Sequence, residues 1–429
     1  MFAKGFLLGA ATAAHQVEGN NIHSDYWAME HMRSGSFAEP SGDAVDHYNR
    51  YEEDIKLLSS AGLNAYRFSI EWARIEPQEG VIDEKEMEHY RNVIHCCKEH
   101  GVTPIVTLHH FTSPKWLISK GGWEAEATVE DFKRYCVYIA QELGSEMEYI
   151  CTINEANMGL QLAAIAKRYM KQMLLPKKKK ETYGQAQVGI NLKQMLANQK
   201  IAAAENMDVF GVDKLHTFVS QRSAEGDLLV MRAHCAARDA MKTICPHLKI
   251  GLSLSLHDIQ AVRGGEKKAA KEWHEEFKHY LPYIKDDDFL GVQNYTRSQI
   301  GRFGQLPMPE GAELTQMNYV FYPEALENVI RRVAREFKGD LIVTENGVAT
   351  ADDTRRVEFI RRAVTGVNNC IADGIPVKGY CYWSLLDNFE WQKGYSMTFG
   401  LIAVDRSTQK RSIKPSLAYL GSYMKENRK

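Results

Sequence analysis

No stretch of this chain approaches the roughly 20 consecutive apolar residues needed to cross a bilayer, so no membrane-spanning helix is expected. The start, MFAKGFLLGAATAAHQ, imitates a secretory signal with its lysine, apolar run and small residues. That apolar run is short, and GAATAAHQVEG reads on as a strand leading into polar groups, so a cytoplasmic protein is the expectation. An excess of one charge is also lacking: 53 Lys+Arg stand against 55 Asp+Glu, a formal net charge of −2. There is no basic field for nucleic acid and no acidic tail. The run Lys177 to Lys180 reads as a solvated loop. The eight cysteines include no C-x-x-C pair; Cys96 and Cys97 are adjacent and the others scattered. Neither a zinc site nor a disulfide framework is indicated, which suits a reducing compartment. No repeat of the roughly 20–50-residue kind is present.

What is present is an alternation of short apolar strands and amphipathic stretches. Candidate strands are FLLGAAT (6–12), NAYRFSI (64–70), TPIVTLHH (103–110), YICTIN (149–154), KIGLSLSL (249–256), FLGVQNY (289–295), LIVTEN (341–346) and VKGYCYWSL (377–385). Helical patterns lie between them, for example 51–62, 84–101 and 355–374, and several end at a glycine, the expected C-terminal cap. The stretch 158–225 is the least regular. Length alone would suggest about two or three domains, but α/β barrels run this long as one. Eight strands alternating with helices fit a single (β/α)8 TIM barrel over residues 1–429. A doubly wound open sheet is the runner-up, but no G-x-G-x-x-G follows the first strand.

One strand raises a question about the rest. LIVTENG (341–347) starts as a doubly buried strand and ends in a carboxylate, an amide and a glycine. Asn-Gly is a common turn dipeptide, yet a carboxylate near a core costs several kcal/mol unless paired or solvated. The other strand ends supply the context. Seven of the eight carry Gln16, Arg67, His109 and His110, Asn154 and Glu155, Tyr295, Glu345, and Trp383 with Glu390 and Trp391 following. Active sites of these barrels lie at the C-terminal ends of the strands. Glu345 then lines a polar mouth, where Arg67 and Tyr295 hold it ionised.

The fourth and seventh strands, on opposite sides of the mouth, both end in glutamate. Two facing carboxyls are the equipment of glycoside hydrolysis: one attacks the anomeric carbon, the other protonates the leaving oxygen and then activates water. The tryptophans suit the apolar C–H faces of sugar rings. A catalytic metal is not expected. His109 and His110 are neighbours on one strand and point to opposite sides, and no H-E-x-x-H occurs.

These strand ends resemble glycoside hydrolase family 1, the retaining β-glucosidases and their relatives, from GAATAAHQVEG near residue 9 to KRSIKPSLAYL at 410–420. TINEAN is similar to the family's acid/base motif, VTENG to its nucleophile motif, and YWSLLDNFEWQKGYSMTFGLIAVD (382–405) to its sugar-binding segment. The resemblance implies Glu345 as nucleophile and Glu155 as acid/base. Asn154 would meet the sugar 2-hydroxyl, and Arg67 and Tyr295 would orient Glu345. Gln16, His110, Glu390 and Trp391 would bind the hydroxyls at positions 3, 4 and 6. Trp383 would be the floor beneath the ring, with Phe111 and Phe399 completing the substrate side. It implies no cofactor.

Three residues depart from the family pattern. Ala156 replaces the proline of Asn-Glu-Pro, Phe111 stands where tryptophan is common, and Gln293 where asparagine is usual. Members that act on 6-phospho sugars lack the glutamate seen here as Glu390 and carry a Ser/Lys/Tyr set. Met397 and Phe399 occupy the lysine and tyrosine positions here. The expectation is a retaining, exo-acting β-glycosidase on unphosphorylated β-glucosides, with β-galactosides and β-fucosides as side substrates and small or oligomeric β-glycosides as its partners. A sugar-binding protein without catalysis and a transglycosylating enzyme stand as alternatives, and a homo-oligomer is left open.

Overall fold

The apolar runs read from the sequence form the staves of one barrel. The computed structural model describes residues 2, 5–173, 187 and 189–426. Strands β1 (Leu7–Ala11), β2 (Ala65–Ser69), β3 (Thr103–His109), β4 (Tyr149–Ile153), β5 (Lys249–Ser255), β6 (Phe289–Gln293), β7 (Asp340–Asn346) and β8 (Val377–Trp383) pair in parallel, each with the next. Strand β8 closes back on β1, with Leu7 opposite Gly379 and Ala11 opposite Trp383. Nearly all their residues are buried. One face fills the barrel and the other packs under helices, so these strands read as continuous apolar runs rather than as an alternation. A single apolar cluster joins strand residues such as Ile105, Ile150 and Leu252 to helix residues such as Ile94, Ile139 and Ile360.

Helices His47–Ala61, Glu84–Glu99 and Asp353–Ala372 occupy the stretches read as helical. Asp83 and Asp352 cap the latter two by accepting first-turn N–H groups. Gly62, at φ 103°, ends the first in the left-handed turn that glycine favours. The stretch 158–225 is more regular than its sequence suggests: helices Met158–Met173 and Leu192–Phe210 lie in it, and Ala224–Ile244 begins at its end. Lys177 to Lys180 lie outside the described residues. Among the described residues no helix is long and apolar enough to cross a membrane. All eight cysteines are free.

Two features shape the mouth. A small sheet of Asp258–Ala261, Arg297–Gly301 and Gly304–Gln305 is built from the connections leaving β5 and β6. Strand β7 is irregular: its register shifts against β6 between Val343 and Glu345, and against β8 between Val343 and Asn346. Such a bulge re-aims the side chains beside it, and this one falls at Glu345. The glycine that follows is not a turn residue. A Cβ on Gly347 would lie 1.9 Å from the Trp383 carbonyl oxygen, so its absence lets β7 and β8 approach. Asn346 locks the same corner: its Nδ2 donates to Asn294 O (2.6 Å) and its Oδ1 accepts from Tyr380 Oη (2.9 Å).

Candidate active site

Glu155 follows β4, and Glu345 is the next-to-last residue of β7. Both line one cavity of about 280 Å³ together with His110, Phe111, Asn154, Tyr295, Trp383, Glu390, Trp391 and Phe399. Gln187 is the remaining lining residue. Arg67 and Gln16, also read from the sequence, stand behind this lining.

The two carboxyls have different surroundings. Glu345 Oε1 accepts from Arg67 Nη1 at 2.5 Å, and its Oε2 accepts from Tyr295 Oη at 2.6 Å. Burial raises the Glu345 carboxyl, while Arg67 and Tyr295 pull it back toward the ionised form. A buried ion pair of this kind adds little net stability but fixes geometry, because removing one partner strands the other's charge. Tyr295 itself is pushed well up by burial and by the Glu345 charge, so it stays a phenol and a donor. Glu155 Oε2 has no hydrogen-bond partner among the described residues. Burial, then the negative charge of Glu345, pushes the Glu155 carboxyl well above the usual range, against weaker pulls from Ser255 and Arg67. Glu345 thus has the partners suited to a carboxylate, a guanidinium and a phenol, while burial and a neighbouring negative charge favour the protonated form of Glu155.

Asn154 ties the strands together. Its Oδ1 accepts from Arg67 Nη2 (2.6 Å), Gln293 Nε2 (2.7 Å) and Ser253 Oγ (3.2 Å). Its Nδ2 donates to His110 Nε2 at 3.1 Å. Burial, with Arg67 nearby, holds the His110 imidazole well below its usual range, so it is neutral. A neutral ring that accepts at Nε2 carries its proton on Nδ1, and that atom has no partner among the described residues. His109 turns the other way, against Ser113 Oγ (3.0 Å) and the edge of Trp123. Among the described residues no three His, Cys, Asp or Glu side chains gather as metal ligands.

The far side of the cavity is aromatic with one acid. The His110 ring stacks on Trp383 and Trp391, with centroids 5.8 and 6.0 Å apart, and Phe111 lies 5.1 Å from Trp391. Phe399 meets Tyr295 edge-on at 6.1 Å. Glu390 Oε1 accepts from Gly189 N at 3.0 Å, and burial pushes its carboxyl up to about 8. Gln16 Nε2 donates to Phe389 O (2.7 Å), and its Oε1 is buried without a partner among the described residues. Glu155, Phe111 and Trp391 all adopt positive φ, at 45°, 71° and 46°. Non-glycine residues held this way cluster where function needs the geometry.

Three contributors escaped the sequence reading. Gln187, whose Oε1 accepts the Tyr295 N–H (2.8 Å), comes from a stretch without pattern. Tyr319 is buried with an unpartnered hydroxyl and feels the charges of Glu390 and Glu155. Ser253 was legible in principle: in KIGLSLSL the serines alternate with leucines, which puts Ser253 and Ser255 on one strand face. Gln293, standing where asparagine is usual, reaches the site: its Nε2 donates to Asn154 Oδ1.

The family model for glycosyl hydrolase family 1 matches residues 1–210 and 285–429. β-Glucosidase A of Acetivibrio thermocellus is 29% identical over 99% of this chain and 98% of its own length. A 6-phospho-β-galactosidase of Lacticaseibacillus casei is 28% identical over 97% of this chain and 96% of its own. The apo structure of a β-glucosidase designated 1317 superposes with a TM-score of 0.88 at 41% identity, covering 98% of each chain. With two carboxyls of opposite character at the ends of β4 and β7 in a closed parallel barrel, this chain belongs to glycosyl hydrolase family 1 and is a glycoside hydrolase.

Proposed function

We propose that the protein is a retaining, exo-acting β-glycosidase that removes single unphosphorylated sugars from β-glycosides, β-glucosides above all, with residues 1–429 forming one cytoplasmic catalytic domain. The observation that carries this reading is the pair of glutamates in one cavity, Glu345 bonded to a guanidinium and a phenol, Glu155 left with a free oxygen and a raised pKa. In the first step a Glu345 oxygen bonds to the anomeric carbon while the bond to the leaving oxygen breaks and takes the Glu155 proton. In the second, Glu155, now a carboxylate, removes a proton from water. The water oxygen bonds to the anomeric carbon and Glu345 is released. Two inversions at one carbon give net retention.

Free polar atoms support a sugar guest: Glu155 Oε2 and His110 Nδ1, on two of the lining residues, are buried and find no protein partner among the described residues, and such groups are normally satisfied. Sugar hydroxyls would satisfy them. β-Glucosidase names among the relatives favour glucose as the glycone.

The 6-phospho-β-galactosidase relative motivates the second reading. A phosphate needs cations and hydroxyl donors, whereas Glu390, Met397 and Phe399 offer a carboxyl, a thioether and a phenyl ring. Release of nitrophenol from matched aryl β-glucoside, β-galactoside, β-fucoside and 6-phospho-β-glucoside tests both. The expected order places the glucoside first and the phosphorylated sugar last, lower by on the order of a hundredfold. Turnover of the phosphorylated sugar alone would overturn the assignment of Glu390. No turnover of any, by folded protein, would favour a binding protein.

A further inference from the structure

Strand β5 supplies no group to the reaction as read above, yet its Ser253 touches the Glu155 turn twice. Ser253 Oγ accepts the Glu155 N–H at 3.0 Å, and the Ser253 carbonyl accepts the Ala156 N–H at 3.0 Å. The residue between these two bonds, Glu155, is in the left-handed region at φ 45°, which a non-glycine residue keeps only when its surroundings impose it. The same Oγ accepts from Gln293 Nε2 at 3.1 Å and donates to Asn154 Oδ1 at 3.2 Å. A hydroxyl has one proton and two lone pairs; all three are used. Gln293 adds its own bond to Asn154 Oδ1 at 2.7 Å and helps hold the Glu345 carboxylate ionised. Ser253, Gln293 and Asn154 have no exposed surface.

We infer that Ser253 and Gln293 are a positioning pair, set on β5 and β6, that fixes the Glu155 carboxyl and the Asn154 amide relative to Glu345. Ala156 belongs to the same device. The proline of Asn-Glu-Pro has no N–H, so the bond from residue 156 to the Ser253 carbonyl exists only because proline is absent. The longer arm of Gln293 lets one amide reach both Ser253 and Asn154. The restraint that a ring would impose on the residue after the acid is supplied here by hydrogen bonds from the neighbouring strands.

This inference rests on the acid/base reading of Glu155, and the test separates the two. Alkyl and dinitrophenyl β-glucosides are compared in the wild type, Glu155→Ala, Ser253→Ala and Ser253→Cys. Alkyl leaving groups need the proton of Glu155; dinitrophenolate does not. Threonine is no substitute here, because the Ser253 side chain faces Gly291, where a Cβ would already sit 2.7 Å from it. Cysteine approximates the serine side chain with a poor acceptor and covers the case in which alanine fails to fold. Both Ser253 variants should lose alkyl-glucoside kcat/KM about tenfold more than dinitrophenyl-glucoside kcat/KM, the effect of a buried N–H losing its acceptor. Equal losses on both substrates, or none, would mean that Ser253 only fills the barrel, and the inference falls. If Glu155→Ala itself shows no leaving-group discrimination while the wild type is active, the acid/base reading falls instead.

Discussion

Replacing Glu345 with alanine should lower turnover of an aryl β-glucoside by on the order of 10⁵-fold, the scale on which single nucleophiles act. The loss should not come from unfolding. The variant removes a carboxylate bonded to Arg67 and Tyr295, which leaves the guanidinium unpaired and costs stability. Circular dichroism and a thermal melt therefore accompany the assay, and a folded, inactive protein is the expected result. Azide should restore turnover, because a small anion can occupy the space left by the carboxylate. With only one displacement at the anomeric carbon, the product should be the α-glycosyl azide, identified by its proton coupling. Recovery of a β-glycosyl azide would mean that another residue is the nucleophile.

Glu155→Ala has the second largest expected effect, and it depends on the substrate. General acids contribute roughly 10²–10⁴-fold, so alkyl glucosides should lose about that much. For dinitrophenyl glucosides the first step needs no proton, and the intermediate should instead accumulate as a burst. Azide would then attack that intermediate and give the β-glycosyl azide, opposite in configuration to the Glu345→Ala product. A pH experiment completes the argument. Burial and the Glu345 charge both raise the Glu155 carboxyl. Glu345→Gln removes the charge and keeps the burial, so the Glu155 pKa should fall yet remain above that of an exposed carboxyl. Carbon-13 titration of labelled glutamate would read it. If Glu155 is the general acid, wild-type kcat/KM should drop as pH rises through the Glu155 pKa. Glu390, pushed up to about 8, titrates in the accessible range as well, and Glu390→Gln removes its contribution. A Glu155 pKa that stays put or rises in Glu345→Gln would show that the two carboxyls do not sense each other.

The barrel was legible because doubly buried parallel strands have an unmistakable pattern. Every barrel strand lies within or next to a run read from the sequence; LIVTEN and YICTIN are the clearest cases. The strand ends were legible for a different reason: they put polar groups where an apolar run should have continued. What escaped depends on three-dimensional approach. Gly347 reads as half of a turn dipeptide, and only the nearness of the Trp383 carbonyl shows why no side chain fits. The bulge at Glu345 is a matter of pairing between strands, and no residue type announces it. Gln187 arrives from a stretch whose composition carries no periodicity, and the small sheet over the mouth consists of short, polar strands that look like loop. Ser253 was missed although its alternation was visible, because a serine on a barrel strand looks unremarkable until its partners are known.

Glu390 has one more consequence. With its carboxyl pushed up to about 8, and Glu155 higher than an ordinary glutamate, the free site at neutral pH is left chiefly with the Glu345 anion and the Arg67 cation in contact. Three acids share the cavity, yet its charges nearly cancel. Such a site casts little field into solution, and the unphosphorylated glycoside proposed as its substrate has no charge for a field to pull. Encounter with substrate is then governed by diffusion and fit, and salt, which screens over about 8–10 Å at ordinary ionic strengths, has almost nothing to act upon.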